Sequence, residues 1–113
     1  MAKKPEYNYK SLQTEYGKMP PQAVDLEEAI LGSLMLEKDA FITVSDFLKP
    51  ECFYKEAHQK IYRGIQNLSL NNEPVDILTV SEEMKRLGEL EEIGGYYYLA
   101  QLTSKVASAA HIE

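Results

Sequence analysis

Apolar residues recur every three or four positions through most of this chain, in blocks separated by proline, glycine and asparagine. That spacing predicts amphipathic helices rather than strands. The first block runs from Val24 to Leu36, with Leu26, Ile30 and Leu34 four apart and Leu31 and Met35 beside them. Lys38-Asp39 closes it, and Asp39 is expected to cap a short second helix carrying Phe41, Ile42, Val44 and Phe47. After Pro50 a third helix is expected from Cys52 to Leu70, with Tyr54, Ala57, Ile61, Ile65 and Leu68 on one face. Gly64 inside that pattern costs about 1 kcal/mol relative to alanine, which implies a neighbouring helix close by. Asn71-Asn72 supplies a left-handed stop and Pro74 prevents continuation. Asp76 then caps a helix whose apolar positions are Ile77, Val80, Met84 and Leu87, and Gly88 ends it. Gly94-Gly95 breaks the chain before a last helix that buries Leu99, Leu102 and Val106. The β-branched runs Phe41–Val44 and Ile77–Val80 fit helical spacing better than alternation. The expected fold is all-α, a single compact bundle of five or six short helices around one core, spanning residues 21–113. Residues 1–20 are polar, lack periodicity and close on Pro20-Pro21, so they read as a flexible N-terminal tail.

Charge alters the picture of partners. The chain has 12 Lys and Arg against 18 Asp and Glu, a net charge of −6. Residues 1–20 hold Lys3, Lys4, Lys10 and Lys18 against Glu6 and Glu15, which leaves 8 basic and 16 acidic side chains in residues 21–113. So acidic a body repels phosphate backbones, because nucleic-acid affinity rests on Lys and Arg displacing counterions. Tyr7, Tyr9 and Tyr16 interleave with lysines in the tail, a pattern open to base stacking, but a plain leader is the simpler reading. No apolar run reaches the roughly 20 residues of a membrane span, and Met-Ala-Lys-Lys-Pro lacks a signal core, so a cytoplasmic location is expected. Cys52 is the single cysteine, without an internal disulfide partner, and is expected to pack as a small apolar group.

Catalytic chemistry is not expected. A phosphate-binding loop needs Gly-x-x-x-x-Gly-Lys-Ser/Thr, yet around Gly17-Lys18 the first glycine position is Leu12 and the hydroxyl position is Met19. His58 and His111 are far apart in sequence and one cysteine cannot complete a zinc cage, so no metal site is expected. His58 is expected to hydrogen-bond locally on its helix. Glu27-Glu28, Glu82-Glu83 and Glu91-Glu92 read as solvated faces, with Glu82 pairing with Arg86 at i, i+4. Successive helical positions step by about 100°, so Tyr96, Tyr97 and Tyr98 cannot all face inward. Tyr98 is expected in the core and Tyr96 or Tyr97 outside.

Three blocks carry a family resemblance. They are Pro74-Val75-Asp76-Ile77-Leu78-Thr79 with Leu87-Gly88-Glu89-Leu90 and Ile93-Gly94-Gly95-x-x-Tyr98-Leu99-x-x-Leu102; Pro20-Pro21-Gln22 with Glu27, Glu28 and Ile30 to Leu36; and Phe53-Tyr54-x-x-Ala57-His58-x-x-Ile61-Tyr62. In order and at this spacing they resemble the N-terminal domain of the DnaB family of bacterial replicative DNA helicases, over Pro20 to Ile112. Two positions depart from the family pattern. Ala23 stands where a serine cap is usual, so the first helix is expected to start on Asp25 or fray. Ala107 stands where proline is common before Ser108-Ala109-Ala110, which suggests a less rigid turn. In the family that block opens a helical hairpin, followed by a linker and an ATP-hydrolysing motor; with the chain stopping at Glu113, a truncated domain is expected.

The resemblance implies a hexameric ring whose N-terminal domains form a collar, a trimer of dimers, that docks the C-terminal domain of primase. It implies ATP and Mg2+ as cofactors of the full-length 5′ to 3′ helicase and none for this domain, with DNA engaged only through the motor. Asp25, Tyr97 and Tyr98 are the candidate primase contacts, and without the hairpin the domain is expected to be a monomer or weak dimer. Two alternatives stay open: the helicase-binding C-terminal domain of a primase, and a small helix-turn-helix DNA-binding protein with Ile77–Leu87 as its reading helix.

Overall fold

The computed structural model describes residues 21–110, so the expected tail lies outside the described residues. Five α-helices follow in order: α1 (Pro21–Leu36), α2 (Ala40–Val44), α3 (Glu56–Leu70), α4 (Ile77–Arg86) and α5 (Gly95–Ala110). A 3-10 turn, Pro50–Cys52, separates α2 from α3. No strand occurs among the described residues, so the architecture is the all-α bundle expected. α1 packs most extensively on α5, and α3 on α4. Between them lies one core of Leu31, Leu34, Met35, Phe53, Ile61, Tyr62, Ile65, Leu68, Val80, Met84, Ile93, Leu99 and Leu102. No helix among the described residues is long and apolar enough to cross a membrane.

Helix ends follow local chemistry. Asp76 caps α4 as expected: its carboxylate accepts the Thr79 N–H at 2.9 Å, and Thr79 Oγ1 accepts the Asp76 N–H at 3.0 Å. Asn72 adopts the left-handed conformation that stops α3. At Gly64 an added Cβ would lie 2.8 Å from Met84 Sδ, so α4 does approach α3 closely there. A closer approach escapes the sequence pattern. A Cβ at Gly32 would run into the Leu102 carbonyl oxygen and lie 2.7 Å from Val106 Cγ2. This glycine lets α1 and α5 nearly touch backbones.

Several expectations need correction. α1 is already helical from Pro21, the first described residue, so it does not wait for Asp25 to begin. Its buried stripe is rotated: Leu26 is 55% exposed, while Glu27 occupies a fully buried position. The rotation has a polar cause, the donors that meet Glu27. Asp39 caps nothing with its side chain; it takes φ 67, a conformation open to aspartate. Phe47 lies beyond α2 and is exposed. α3 starts at Glu56, because Pro50–Cys52 forms a 3-10 turn and Phe53 stays extended, which swings the Phe53 ring to 5.2 Å from that of Tyr62. Tyr54 therefore precedes the helix, and Tyr62 takes the core position. Arg86 pairs with Glu83, not Glu82, using Nε at 3.0 Å and Nη2 at 2.6 Å. Glu83 is buried against Asn67, which donates to it at 3.0 Å. α5 runs without a turn through Ala107 to Ala110.

Candidate partner-docking face between the first and last helices

The Gly94-Gly95 break, with both residues at positive φ, starts α5 abruptly and sets the azimuth of the tyrosine run. Tyr97 is 72% exposed, Tyr96 is also exposed, and Tyr98 is half-buried. Leu99 and Leu102 face the core. An open groove of about 560 Å³ lies along the junction of α5 with α1, walled by Tyr97, Tyr98, Gln101 and Lys105 and bordered by Glu28. Lys105 crosses the helix junction: its ammonium pairs with Glu28 and lies 3.6 Å from the exposed Asp25. The hydrogen bond to Glu28, with the charges of Glu28 and Asp25, raises the Lys105 pKa. Tyr97 and Tyr98 thus line the groove, while Asp25 meets it only through Lys105.

Behind the groove runs a polar relay that sequence reading missed. Glu27 on α1 and His58 on α3 are both 0% exposed. Glu27 accepts the backbone N–H of Tyr54 and, at 3.4 Å, that of Lys55; His58 Nδ1 lies 2.7 Å from its Oε1. His58 Nε2 is 2.6 Å from the Tyr98 hydroxyl, with the two rings 9° from parallel. The Glu28 Oε2 lies 3.5 Å from that hydroxyl and Lys55 Nζ 5.4 Å from the Tyr98 ring centre. His58 is therefore not a locally bonded helix residue, and Glu27 is not solvated. A signal did exist in the sequence: His58 falls on the Ile61, Ile65, Leu68 stripe, and a polar residue on an apolar stripe demands buried partners.

Acid, imidazole and hydroxyl in line invite comparison with a nucleophilic triad. The geometry opposes it. Burial, then the Glu28 carboxylate, pushes the Tyr98 phenol well above its ordinary pKa, so the hydroxyl is held neutral. His58 and Glu27 are also closed to any substrate. No three His, Cys, Asp or Glu side chains gather as metal ligands among the described residues. The arrangement fixes helices and shapes a surface.

Comparisons with known proteins agree across nearly the whole chain. The model of the family described as the DnaB-like helicase N terminal domain matches residues 19–113. A replicative DNA helicase DnaB from Rhodothermus marinus is 48% identical over 103 residues, 91% of this chain and 11% of that protein. One from Geobacillus stearothermophilus is 42% identical over 96 residues, 85% of this chain and 21% of that protein. The chain thus spans between about a tenth and a fifth of the length of these relatives. Among solved structures, the N-terminal domain of DnaB helicase from Mycobacterium tuberculosis superposes with a TM-score of 0.71 at 42% identity, covering 81% of this chain and 67% of that one.

Proposed function

The chain belongs to the family of DnaB-like helicase N-terminal domains, and from that premise we propose that it is the non-catalytic scaffold of a cytoplasmic replicative helicase. Its role is to support a hexameric ring, as a trimer-of-dimers collar, and to dock the C-terminal domain of primase on the α1–α5 face. ATP and Mg2+ belong to a motor domain of the full-length protein, the part that unwinds DNA. The observation that carries this reading is the family match over residues 19–113. The face adds support: an open groove edged with tyrosines and a self-neutralised lysine suits a protein partner better than a reacting small molecule. The matched relatives are helicases, so the primase-domain and helix-turn-helix alternatives are set aside.

The test is titration of the full-length helicase with the primase C-terminal domain. Tyr97→Ala is expected to weaken binding by about 2 kcal/mol, the level of an interface hot spot, and Asp25→Ala by less. Unchanged affinity in both, with the fold intact, would remove primase from this face.

A further inference from the structure

We propose that the N-terminal segment from Lys10 to Met19 folds back along α1 and covers an apolar groove between α1 and α2. The groove lies on a different face of α1 from the tyrosine groove and holds about 320 Å³. Ile30 and Ser33 of α1, Ala40 and Val44 of α2 and the buried Leu34 line it, and Glu37 is the single charged residue of the lining. α2 has no fully buried side chain, so Ala40 and Val44 are only half-covered by the rest of the domain. Leu26 stands one turn before Ile30 on the same helix face and is exposed, which carries the apolar line to the start of α1. The inward turn of Glu27 thus leaves α1 with a second apolar face, and apolar surface gathered in this way marks a contact site.

Residues 1–20, outside the described residues, join α1 at Pro21, the end where Leu26 lies. From Pro21 to Glu37 the helix rises about 24 Å, which an extended chain spans in about seven residues. With about three residues used to reverse direction, Tyr16 comes level with Leu26, Leu12 with Ser33, and Lys10 with Glu37. Every second side chain of an extended segment shares a face. Tyr16, Thr14, Leu12 and Lys10 therefore lie together against the groove, while Glu15, Gln13 and Ser11 look outward. Charge favours the same pairing. Residues 1–20 hold four lysines against two glutamates, whereas residues 21–113 carry twice as many acidic as basic side chains. A second copy of the chain, with its net charge of −6, meets like charge instead. Tethering also holds the segment at an effective concentration on the order of millimolar, so a contact too weak to retain a free peptide still fills the groove.

The experiment uses the full 113-residue chain, with its methyl groups labelled for NMR. Nuclear Overhauser cross peaks are expected between the Leu12 methyls and those of Ile30 and Val44, at an intensity per molecule that dilution leaves unchanged. Leu12→Ser is expected to abolish them and to shift the backbone amides of Ala29, Ser33 and Ala40. Lys10→Glu and Glu37→Lys are each expected to shift the same amides partway, and the two changes together to return them toward the parent. The methyls of Leu99 and Leu102, enclosed in the core, are expected to stay fixed in every variant and so report an intact fold. Three results overturn the inference: no cross peak in the unaltered chain, groove amides unmoved by Leu12→Ser, or a charge exchange no better than either single change. Cross peaks that appear only between separately labelled chains overturn it too, and give the groove to a second copy. No primase enters the measurement, so the reading of the α1–α5 face stands or falls separately.

Discussion

Replacing Gly32 by alanine probes the contact on which the α1–α5 face depends. Within a helix the change alone is favourable by about 0.8–1 kcal/mol, because alanine loses less backbone freedom. Here the new methyl has nowhere to go. It would overlap the Leu102 carbonyl oxygen, with Val106 Cγ2 at 2.7 Å and the Leu102 carbonyl carbon at 3.0 Å. Carbon contacts settle near about 3.5–4.0 Å, so the overlap is on the order of 1 Å, and most of it is against backbone that cannot rotate aside. α5 must move off α1, and a clash against backbone belongs at the upper end of overpacking costs, about 2–3 kcal/mol. Net destabilisation is therefore about 1–2 kcal/mol, or roughly 4–16 °C in thermal midpoint for a domain of this size. Gly64→Ala is the matched control, since its nearest obstacle is the flexible Met84 thioether at 2.8 Å. There the propensity gain offsets a rotamer change, and stability is expected to stay within about 1 kcal/mol of the parent. Urea titration of both variants, with midpoints compared at constant m, makes the measurement. If Gly32→Ala were as stable as Gly64→Ala, the close approach of α1 and α5 would be refuted.

Two further outcomes follow from burial. Leu99 is fully enclosed, so Leu99→Ala is expected to cost about 2–5 kcal/mol; an unchanged thermal midpoint would place the α5 stripe on another face. Alkaline titration followed by ultraviolet difference spectra tests the phenols of buried Tyr62 and half-buried Tyr98. Burial pushes Tyr62 up to about 12, and its hydroxyl donates to the Leu48 carbonyl at 2.7 Å; Tyr98 is raised as well. A raised folded-state pKa means this stabilisation is complete below the ordinary phenol value of about 10 and is lost as pH climbs through the folded value. Both tyrosines are expected to ionise only as the fold is lost, and their ionisation near pH 10 with an intact circular-dichroism spectrum would count against the burial.

The apolar pattern was readable wherever one helix face meets one core. The stripe of Val80 and Met84, the cap at Asp76, the stop at Asn72 and the inward turn of Leu99 and Leu102 all follow from spacing and local backbone chemistry. Reading failed where tertiary partners override the local pattern. Leu26 fits a four-residue step with Ile30 and Leu34, yet it is exposed because the adjacent Glu27 has three donors to satisfy it inside. The late start of α3 depends on Phe53 finding Tyr62 and His58, rings nine and five positions ahead whose meeting no local rule specifies. At the candidate face, the outward turn of Tyr97 follows from the helical step, whereas Asp25, Tyr97 and Tyr98 as contacts are candidates by family resemblance; the carboxylate–imidazole–phenol relay behind them is not legible in the sequence, since it joins residues 27, 58 and 98 across three helices.

That relay explains why these helices meet at one set of azimuths. Leucine and isoleucine stripes tolerate small rotations, because apolar contact is non-directional. Hydrogen bonds are not so tolerant: turning α1 by one residue would place Leu26 or Glu28 before the Tyr54 and Lys55 N–H groups and leave His58 without its acceptor. A buried polar group left unmatched costs about 1–3 kcal/mol, and no buried side-chain nitrogen or oxygen among the described residues lacks a partner. The azimuth fixed inside also fixes what appears outside. With Glu27 inward, Glu28 and Asp25 lie on the flank facing α5, where they neutralise Lys105. The face is left with exposed Tyr97 beside Asp25 and Glu28, whose charges are met by Lys105.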